Sequence, residues 1–523
     1  MFKINRVSIL FQLFFLLLFF TSCASNPVTG KRELSIFSES FEINMGEKNY
    51  FMMQQAQGGE YIADLRVAKY VSSIGQRLAE FSDRPHLPYE FVVLNHSVPN
   101  AWALPGGKIA VNRGLLLELE NEAELAAVLG HEIVHVAAKH SLKHLQQGMI
   151  FQFGLAGLGV LIEENEYKNL IGGGSQVLAI LLTKKYSRFH ELEADLYGMN
   201  YMEKAGYDPK AAVTLQEMFV RLKKEKSNSD WFSGILATHP PSLERVRANR
   251  NTAEKMALSG FLGVKEYQNV IEPLKKTKKA YEAYDQGMEA LQSNRREEAK
   301  ALAEKALKIE PKEALFYNLL GKVYAIEKQY TTALQAFDRA IEKNSQYYDF
   351  FLSRGLLKSR MNDDFAAQED LKKSLALLST AQAHYALGQI LLRKNHSREA
   401  LEHFKQASQS DSVEGKKARK ELVKIDLLQN PEKYLHVKSA IDTQGNILVF
   451  VKNQSLIGVK DLLIEVIDKR KSFFGGRKFI HFYDEIRSGE EVSKRMDLGN
   501  FLDNKEFLKT TIHMHIHRVS LME

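Results

Sequence analysis

The sequence predicts a multi-domain protein with a mainly α-helical first domain that contains a small β-sheet, an α-helical solenoid of repeats and a β-sandwich-like domain at the end. Three observations support this order: an HExxH motif at His131, a periodicity of 34 residues after residue 280, and alternating apolar stretches after Tyr434. The chain has 523 residues, 45% of them hydrophobic, which is enough for about three or four domains with their own cores.

The N-terminus predicts export from the cytoplasm. A basic start precedes an apolar run from Ile9 to Phe20 that is too short to span a bilayer comfortably, so residues 1–22 are interpreted as a signal peptide. Cys23, the only cysteine, stands where the lipidated cysteine of a bacterial lipoprotein stands. Because Ala24 rather than aspartate follows it, we expect a periplasmic protein anchored in the outer membrane. The alternatives are a soluble periplasmic protein cleaved after Ala24 and, third, an uncleaved anchor.

The HExxH motif predicts a metal site on a helix. Positions i and i+4 of an α-helix differ by only about 40°, so His131 and His135 project from one face and can bind one metal ion. Glu132 lies beside that face, where a carboxylate could take a proton from an attacking water molecule. The residues before the motif favour a helix, because acidic side chains precede an apolar run without proline. The alternative is a pair of surface histidines on an amphipathic helix.

A third ligand is expected 56 residues beyond His135. Glu191 and Asp195 are again spaced i and i+4, so Glu191 could complete a His₂Glu site while Asp195 orients a ligand histidine. Glu193 is expected to point elsewhere and to be a solvated carboxylate.

Two further histidines follow the motif. His140 and His144 are expected to continue the catalytic helix as satisfied or exposed side chains, although a second metal site is conceivable.

With these motifs the chain resembles the HtpX-like and CAAX-prenyl-protease-like zinc metallopeptidases, the gluzincins that combine HExxH with a later ExxxD. In layout it is most similar to the periplasmic members that carry helical repeats. Further matching segments are 26–30, 100–107 and 238–240. The resemblance implies a metallopeptidase domain over residues 23–265 that binds one Zn²⁺ through His131, His135 and Glu191. It also implies that Glu132 is the general base and later acid, and that Asp195 supports a ligand.

The resemblance also covers His239 and Arg245, which match a family element near the active site. It implies that the His239 imidazole either stabilises the oxyanion, as a catalytic residue, or occupies the open metal position as a latch. A loop histidine before a Pro-Pro turn is the alternative.

The second half of the chain predicts two further domains. After a linker at 266–279, residues 280–412 contain four repeats marked by Gly287, Gly321, Gly355 and Gly388, with small residues 12 and 19 positions after each glycine. They resemble tetratricopeptide repeats, whose solenoids bind proteins; a rigid spacer is the alternative. A second linker is expected at 413–433, followed by a β-sandwich-like domain at 434–523.

Together these features predict a zinc metalloendopeptidase that degrades misfolded or stalled envelope and outer-membrane proteins. The repeats would dock substrates or the outer-membrane protein assembly machinery, and lipid on Cys23 would provide membrane attachment. The alternative is an envelope chaperone or assembly adaptor whose metal site is latched or structural. The formal charge of +7 is modest for this length and no nucleic-acid motif is present, so nucleic-acid binding is not expected.

Overall fold

The structure is a computed structural model that describes residues 23–157, 186–225, 238–256, 260–441, 447–468, 477–496 and 512–522. The predicted signal peptide, residues 1–22, lies outside the described residues. The chain divides into two compact units, residues 1–354 and 355–523. Within the described ranges, every helix falls short, in length or in apolar character, of what a bilayer crossing requires.

The first part of unit 1 surrounds a small sheet with helices. Its strands are β1 (Cys23–Ser25), β2 (Arg32–Leu34), β3 (Glu90–Leu94), β4 (Ala101–Leu104) and β5 (Lys108–Asn112). Strands β1 and β2 form a hairpin, whereas β5 lies between β3, to which it is parallel, and β4, to which it is antiparallel. The helices are α1 (Glu39–Ala56), α2 (Leu65–Ala79), α3 (Arg113–Leu116), α4 (Glu122–Ala137), α5 (His140–Gly157), α6 (Arg188–Lys204), α7 (Ala211–Glu225) and α8 (Leu243–Ala253).

Helix α4 is the centre of this part. The Asn121 side chain caps it by accepting a hydrogen bond from the backbone of Glu124, and acidic residues occupy its first turn. All of its residues are buried, against neighbours that include α2, α6 and α7. The HExxH motif therefore lies inside the domain, and the alternative of two surface histidines is wrong.

Helix α4 is shorter than the sequence predicts. It ends at Ala137, Lys139 adopts a left-handed conformation with φ 58°, and His140 begins α5. His140 and His144 therefore lie on a separate helix. The sequence did not predict this break, because the residue at the change of direction is a lysine and not the glycine that usually ends a helix.

The solenoid is built from paired helices. Unit 1 continues through α9 (Val264–Gln292), α10 (Arg296–Ile309), α11 (Ala314–Ile326) and α12 (Tyr330–Lys343), while α13 (Tyr348–Arg360) crosses the boundary between the units. Unit 2 contains α14 (Asp364–Leu377), α15 (Ala381–Arg393), α16 (Ser397–Ser408) and α17 (Val413–Gln429). The repeat glycines allow close helix contact, since a Cβ at Gly321 would lie 2.6 Å from the ring of Phe337.

Both segments expected as linkers are largely helical. Residues 266–279 lie within α9, which begins in the core around α4 and continues into the first repeat, with Pro273 inside it. Residues 413–433 form α17 and a short 3₁₀ turn at Pro431–Lys433. In unit 1, the guanidinium carbon of Arg113 lies 3.3 Å from the ring centroid of Tyr281 on α9. Buried contacts of this kind connect the first repeat to the domain before it.

The C-terminal part of unit 2 is a two-sheet β structure, as predicted. Its strands are β6 (Leu435–Ile441), β7 (Ile447–Asn453), β8 (Val459–Asp468), β9 (Arg477–Phe482), β10 (Glu491–Met496) and β11 (Ile512–Leu521). They form two three-stranded antiparallel sheets, ordered β10-β7-β6 and β11-β8-β9. Val449 and Val451 from one sheet share a buried core with Ile464 and Val466 from the other.

Candidate metal centre

Two helices bring the predicted ligands together. Helix α4 presents His131 and His135, and helix α6, capped by the side chain of Ser187, presents Glu191. The Nε2 atoms of the two histidines lie 3.0 Å apart. The Glu191 carboxylate lies 3.5 Å from Nε2 of His135 and 3.6 Å from Nε2 of His131. All three side chains are buried.

His239 completes a group of four possible ligands. Its Nδ1 atom lies 3.2 Å from Nε2 of His131 and 3.0 Å from Oε1 of Glu191, and the four donor atoms all lie within 4.8 Å of one another. Donors bound about 2.05 Å from a tetrahedral zinc ion are about 3.3 Å apart. The observed spacings and the donor types therefore fit a zinc ion held by His131, His135 and Glu191, with His239 in the fourth direction.

Asp195 and Arg245 support these ligands. Asp195 Oδ1 lies 2.9 Å from Nδ1 of His131, so the other ring nitrogen of His131 faces the shared centre. Arg245 donates to both oxygens of Asp195 at 2.6 and 2.7 Å and lies 2.6 Å from Glu191. Burial alone would raise the pKa of Asp195, but Arg245 and His131 lower it below its usual value. The carboxylate can therefore stay charged inside the protein.

Glu132 lies beside the four possible ligands and is not one of them. It is 1% exposed, and neither of its oxygens has a hydrogen-bond partner among the described residues. Its Oε1 atom lies 3.6 Å from Nε2 of His239. Burial raises the pKa of Glu132, against the opposing effects of His239 and His131. A buried carboxylate with free acceptor oxygens, next to the four possible metal ligands, is suited to accept a proton at this centre.

Glu193 differs from the sequence prediction. It was expected to be a solvated carboxylate, but it is 7% exposed and its Oε1 lies 3.1 Å from Nε2 of His140. Glu193 shares a face of α6 with the exposed side chains of Phe189 and Leu196, and it is buried because His140 of α5 covers this position, which the periodicity of one helix cannot predict.

Sequence reasoning also missed contacts that hold the two ligand helices together. The backbones of α4 and α6 touch at Gly130 and Gly198, where a Cβ on Gly198 would lie 3.0 Å from the backbone nitrogen of His131. Tyr186 covers the site from another side, with ring centroids 3.9 Å from His135 and its hydroxyl 2.7 Å from Ser141. The two glycines, one directly before the motif, were the available sequence signal.

Comparison with known proteins assigns the first domain. Residues 66–253 match the family model "Peptidase family M48", and this match contains all the residues that converge on the centre. The domain belongs to peptidase family M48. Residues 284–348 and 381–413 match tetratricopeptide repeat models, so the predicted class of repeat is confirmed for these segments.

Several curated proteins are similar to this chain. The mitochondrial metalloendopeptidase OMA1 of Schizosaccharomyces pombe is 31% identical over 231 residues, which cover 44% of this chain and 66% of that protein. The beta-barrel assembly-enhancing protease of Yersinia pestis is 24% identical over 349 residues, covering 61% of this chain and 70% of that protein. The protease of the same name from Escherichia coli (strain K12) is 27% identical over 247 residues, covering 46% and 49%.

These similarities confirm the predicted class of domain. The alignments span 49% to 70% of the length of the three relatives, so they compare parts of the proteins and not their whole architectures. The match to family M48 and the similarity to a named metalloendopeptidase identify the first domain as a metalloprotease domain. Tetratricopeptide repeats follow it.

Proposed function

We propose that this protein is a zinc-dependent endopeptidase that degrades misfolded or stalled proteins of the bacterial envelope, including outer-membrane proteins. The observation that carries the proposal is the convergence of His131, His135 and Glu191 next to the carboxylate of Glu132, whose oxygens accept no hydrogen bond from the described residues. Three protein ligands with a neighbouring base are typical of a catalytic zinc site and not of a closed structural one.

The residues of the site divide the work of peptide hydrolysis. When bound, zinc would lower the pKa of a water molecule to about 7 and polarise the scissile carbonyl. Glu132 takes the proton of the attacking water and then donates it to the leaving amine. Its raised pKa suits both steps, because the carboxyl can hold the proton between them. Asp195 and Arg245 keep His131 and Glu191 oriented towards the ion.

His239 serves as a latch in this proposal. Its Nδ1 atom points at the same centre as the three ligands, in the direction that water or substrate would need. This position supports the latch over direct stabilisation of the oxyanion. Catalysis then requires the segment that carries His239 to withdraw, and substrate binding would drive that movement.

The repeats and the N-terminal cysteine support a proposal for substrate delivery and for the location of the protein. Tetratricopeptide solenoids bind proteins, so the repeats would dock substrates or components of outer-membrane protein assembly. Two relatives are named beta-barrel assembly-enhancing proteases, and this supports an envelope role. Lipid on Cys23 would place the enzyme in the periplasm at the outer membrane, and the alternative is a soluble periplasmic form.

A second candidate function has a specific observation in its favour. If His239 stays in the fourth position, no site remains for water, and the protein would act as an envelope chaperone or assembly adaptor with a closed metal site.

Degradation of casein separates the two functions. Wild type, Glu132→Gln and His239→Ala would be assayed with and without a chelator, together with Glu120→Gln as a matched control at an exposed carboxylate just before α4. The peptidase proposal expects no activity in Glu132→Gln, wild-type activity in Glu120→Gln, and increased activity in His239→Ala because the latch is removed. Activity that survives in Glu132→Gln would contradict the mechanism. If neither wild type nor His239→Ala cleaves casein while zinc is bound, the adaptor function is supported instead.

A further inference from the structure

A second imidazole lies directly behind one of the metal ligands. Nδ1 of His140 is 2.8 Å from Nδ1 of His135, and the opposite nitrogen of His140 is 3.1 Å from Oε1 of Glu193. His140 is 0% exposed and Glu193 is 7% exposed. The three side chains therefore form a line from the metal centre to a buried carboxylate.

The protons of this line can be assigned from geometry. Nε2 of His135 faces the other ligands, 3.0 Å from Nε2 of His131, so it must be unprotonated to bind a metal. The proton of neutral His135 is then on Nδ1, which donates to Nδ1 of His140. His140 in turn carries its proton on Nε2 and donates it to Glu193. Each of the two contacts then has one donor and one acceptor, and His135 is in the tautomer that can bind a metal.

The backbone is arranged to permit this contact. In a continuous helix His140 would lie about 140° around the axis from His135, since each residue turns by about 100°. The left-handed conformation of Lys139 ends α4 and brings His140 back beside the ligand. Glu193 comes from α6, two residues after the ligand Glu191 and two before Asp195.

We propose that His140 and Glu193 are positioning residues that fix the tautomer and ring orientation of the ligand His135. The two histidine ligands are then held differently: Asp195 contacts His131 directly, whereas Glu193 acts on His135 through His140. The inference rests on the zinc site of the proposed function. It concerns how the metal is held and can be tested without substrate.

The test measures zinc affinity by competition with a chromophoric chelator. His140→Leu removes the acceptor for His135, and we expect the affinity to fall about 10- to 100-fold, as for other residues that orient metal ligands. His140→Asn keeps an acceptor near the position of Nδ1, so it should restore most of the affinity. The visible absorption of the Co²⁺-substituted proteins would report whether the coordination geometry changes in parallel.

Glu193→Gln provides a second variant if His140→Leu does not fold. Its affinity should be reduced less, by about tenfold, because the amide keeps an acceptor but loses the charge. Glu203→Gln on the same helix is the matched control and should bind zinc like wild type. Because Glu193 acts through His140, the double variant His140→Leu/Glu193→Gln should bind zinc no more weakly than His140→Leu alone.

Several outcomes would overturn the inference. These are an affinity of His140→Leu within twofold of wild type, an equal loss in His140→Asn and His140→Leu, or fully additive losses in the double variant. A fall in the unfolding temperature of the metal-free protein without a loss of zinc affinity would assign His140 a purely structural role. If the wild type itself bound no zinc, the proposed function would fail first, and this inference with it.

Discussion

The contact between Gly130 and Gly198 makes the metal site sensitive to a residue that touches neither metal nor substrate. Helices α4 and α6 meet backbone to backbone there, and α6 supplies Glu191 while α4 supplies both histidines. A Cβ on Gly198 would lie 3.0 Å from the backbone nitrogen of His131 and 3.1 Å from the carbonyl carbon of Gly130. These neighbours are backbone atoms of a buried helix and cannot rotate away. Gly198→Ala must therefore separate the two helices.

The size of the effect can be worked out from these distances. Ordinary carbon contacts lie at about 3.5–4.0 Å, so the helices must move apart by a few tenths of an ångström. Such overpacking costs about 1–3 kcal/mol, offset by up to about 1 kcal/mol because alanine favours a helix over glycine. The distances from Glu191 to the two histidines, 3.5 and 3.6 Å, would widen, whereas a metal site tolerates about 0.2 Å. Because zinc binding must draw the ligands back towards their wild-type separation, it restores the overpacked contact, and a cost of about 1–2 kcal/mol lowers the zinc affinity by about 5- to 30-fold.

A graded series tests this reasoning. Zinc affinity would be measured by chelator competition for wild type, Gly198→Ala and Gly198→Val, with Lys204→Ala, exposed in the last turn of α6, as the control. We expect the order wild type, alanine, valine, with the control equal to wild type. If Gly198→Val bound zinc as tightly as wild type, the close helix contact would not determine the ligand geometry.

Three further predictions concern stability. Lys328 occupies the left-handed turn position that Asn294 and Asn362 occupy in other repeats, with φ 63°; Lys328→Asn should raise the free energy of unfolding by about 0.5–1 kcal/mol in urea titration, and an unchanged midpoint would contradict this. Burial, and then the His403 ring at 2.9 Å, lower the pKa of His384 to about 4. The unfolded state therefore binds more protons than the folded state between about pH 6.5 and 4, so the free energy of unfolding should fall as the pH is lowered through this range. NMR titration that found His384 at its ordinary pKa would refute this. Finally, a chelator should lower the unfolding temperature and added zinc should restore it. At a zinc concentration a thousandfold above Kd, binding should add about 4 kcal/mol to the free energy of unfolding. An unfolding temperature that the chelator does not change would exclude a tightly bound metal.

Residue spacing predicted the parts of this protein that depend on a single helix or on a repeated contact. His131 and His135 share a face because they are four residues apart, and the same argument gave Glu191 and Asp195. The repeats were readable because each one places a glycine against a large side chain, as Gly321 does against Phe337. In these cases the local geometry of a helix carries the information, so no knowledge of the tertiary structure was needed.

The contacts that spacing could not predict all join two helices, and they determine how the ligands are held. Glu193 looked like a solvated residue because it shares a face of α6 with the exposed Phe189 and Leu196, and nothing in the sequence shows that His140 covers this position. His140 looked like a continuation of α4 because a left-handed lysine at position 139 leaves no trace in the sequence. Yet the orientation of His135 depends on both of them, and its distance from Glu191 depends on Gly130 and Gly198. The HExxH and ExxxD motifs therefore specify which atoms converge on the proposed metal site, whereas the packing of α4 against α5 and α6 specifies where those atoms are. It follows that substitutions at these contacts should weaken metal binding even when every residue of both motifs is intact.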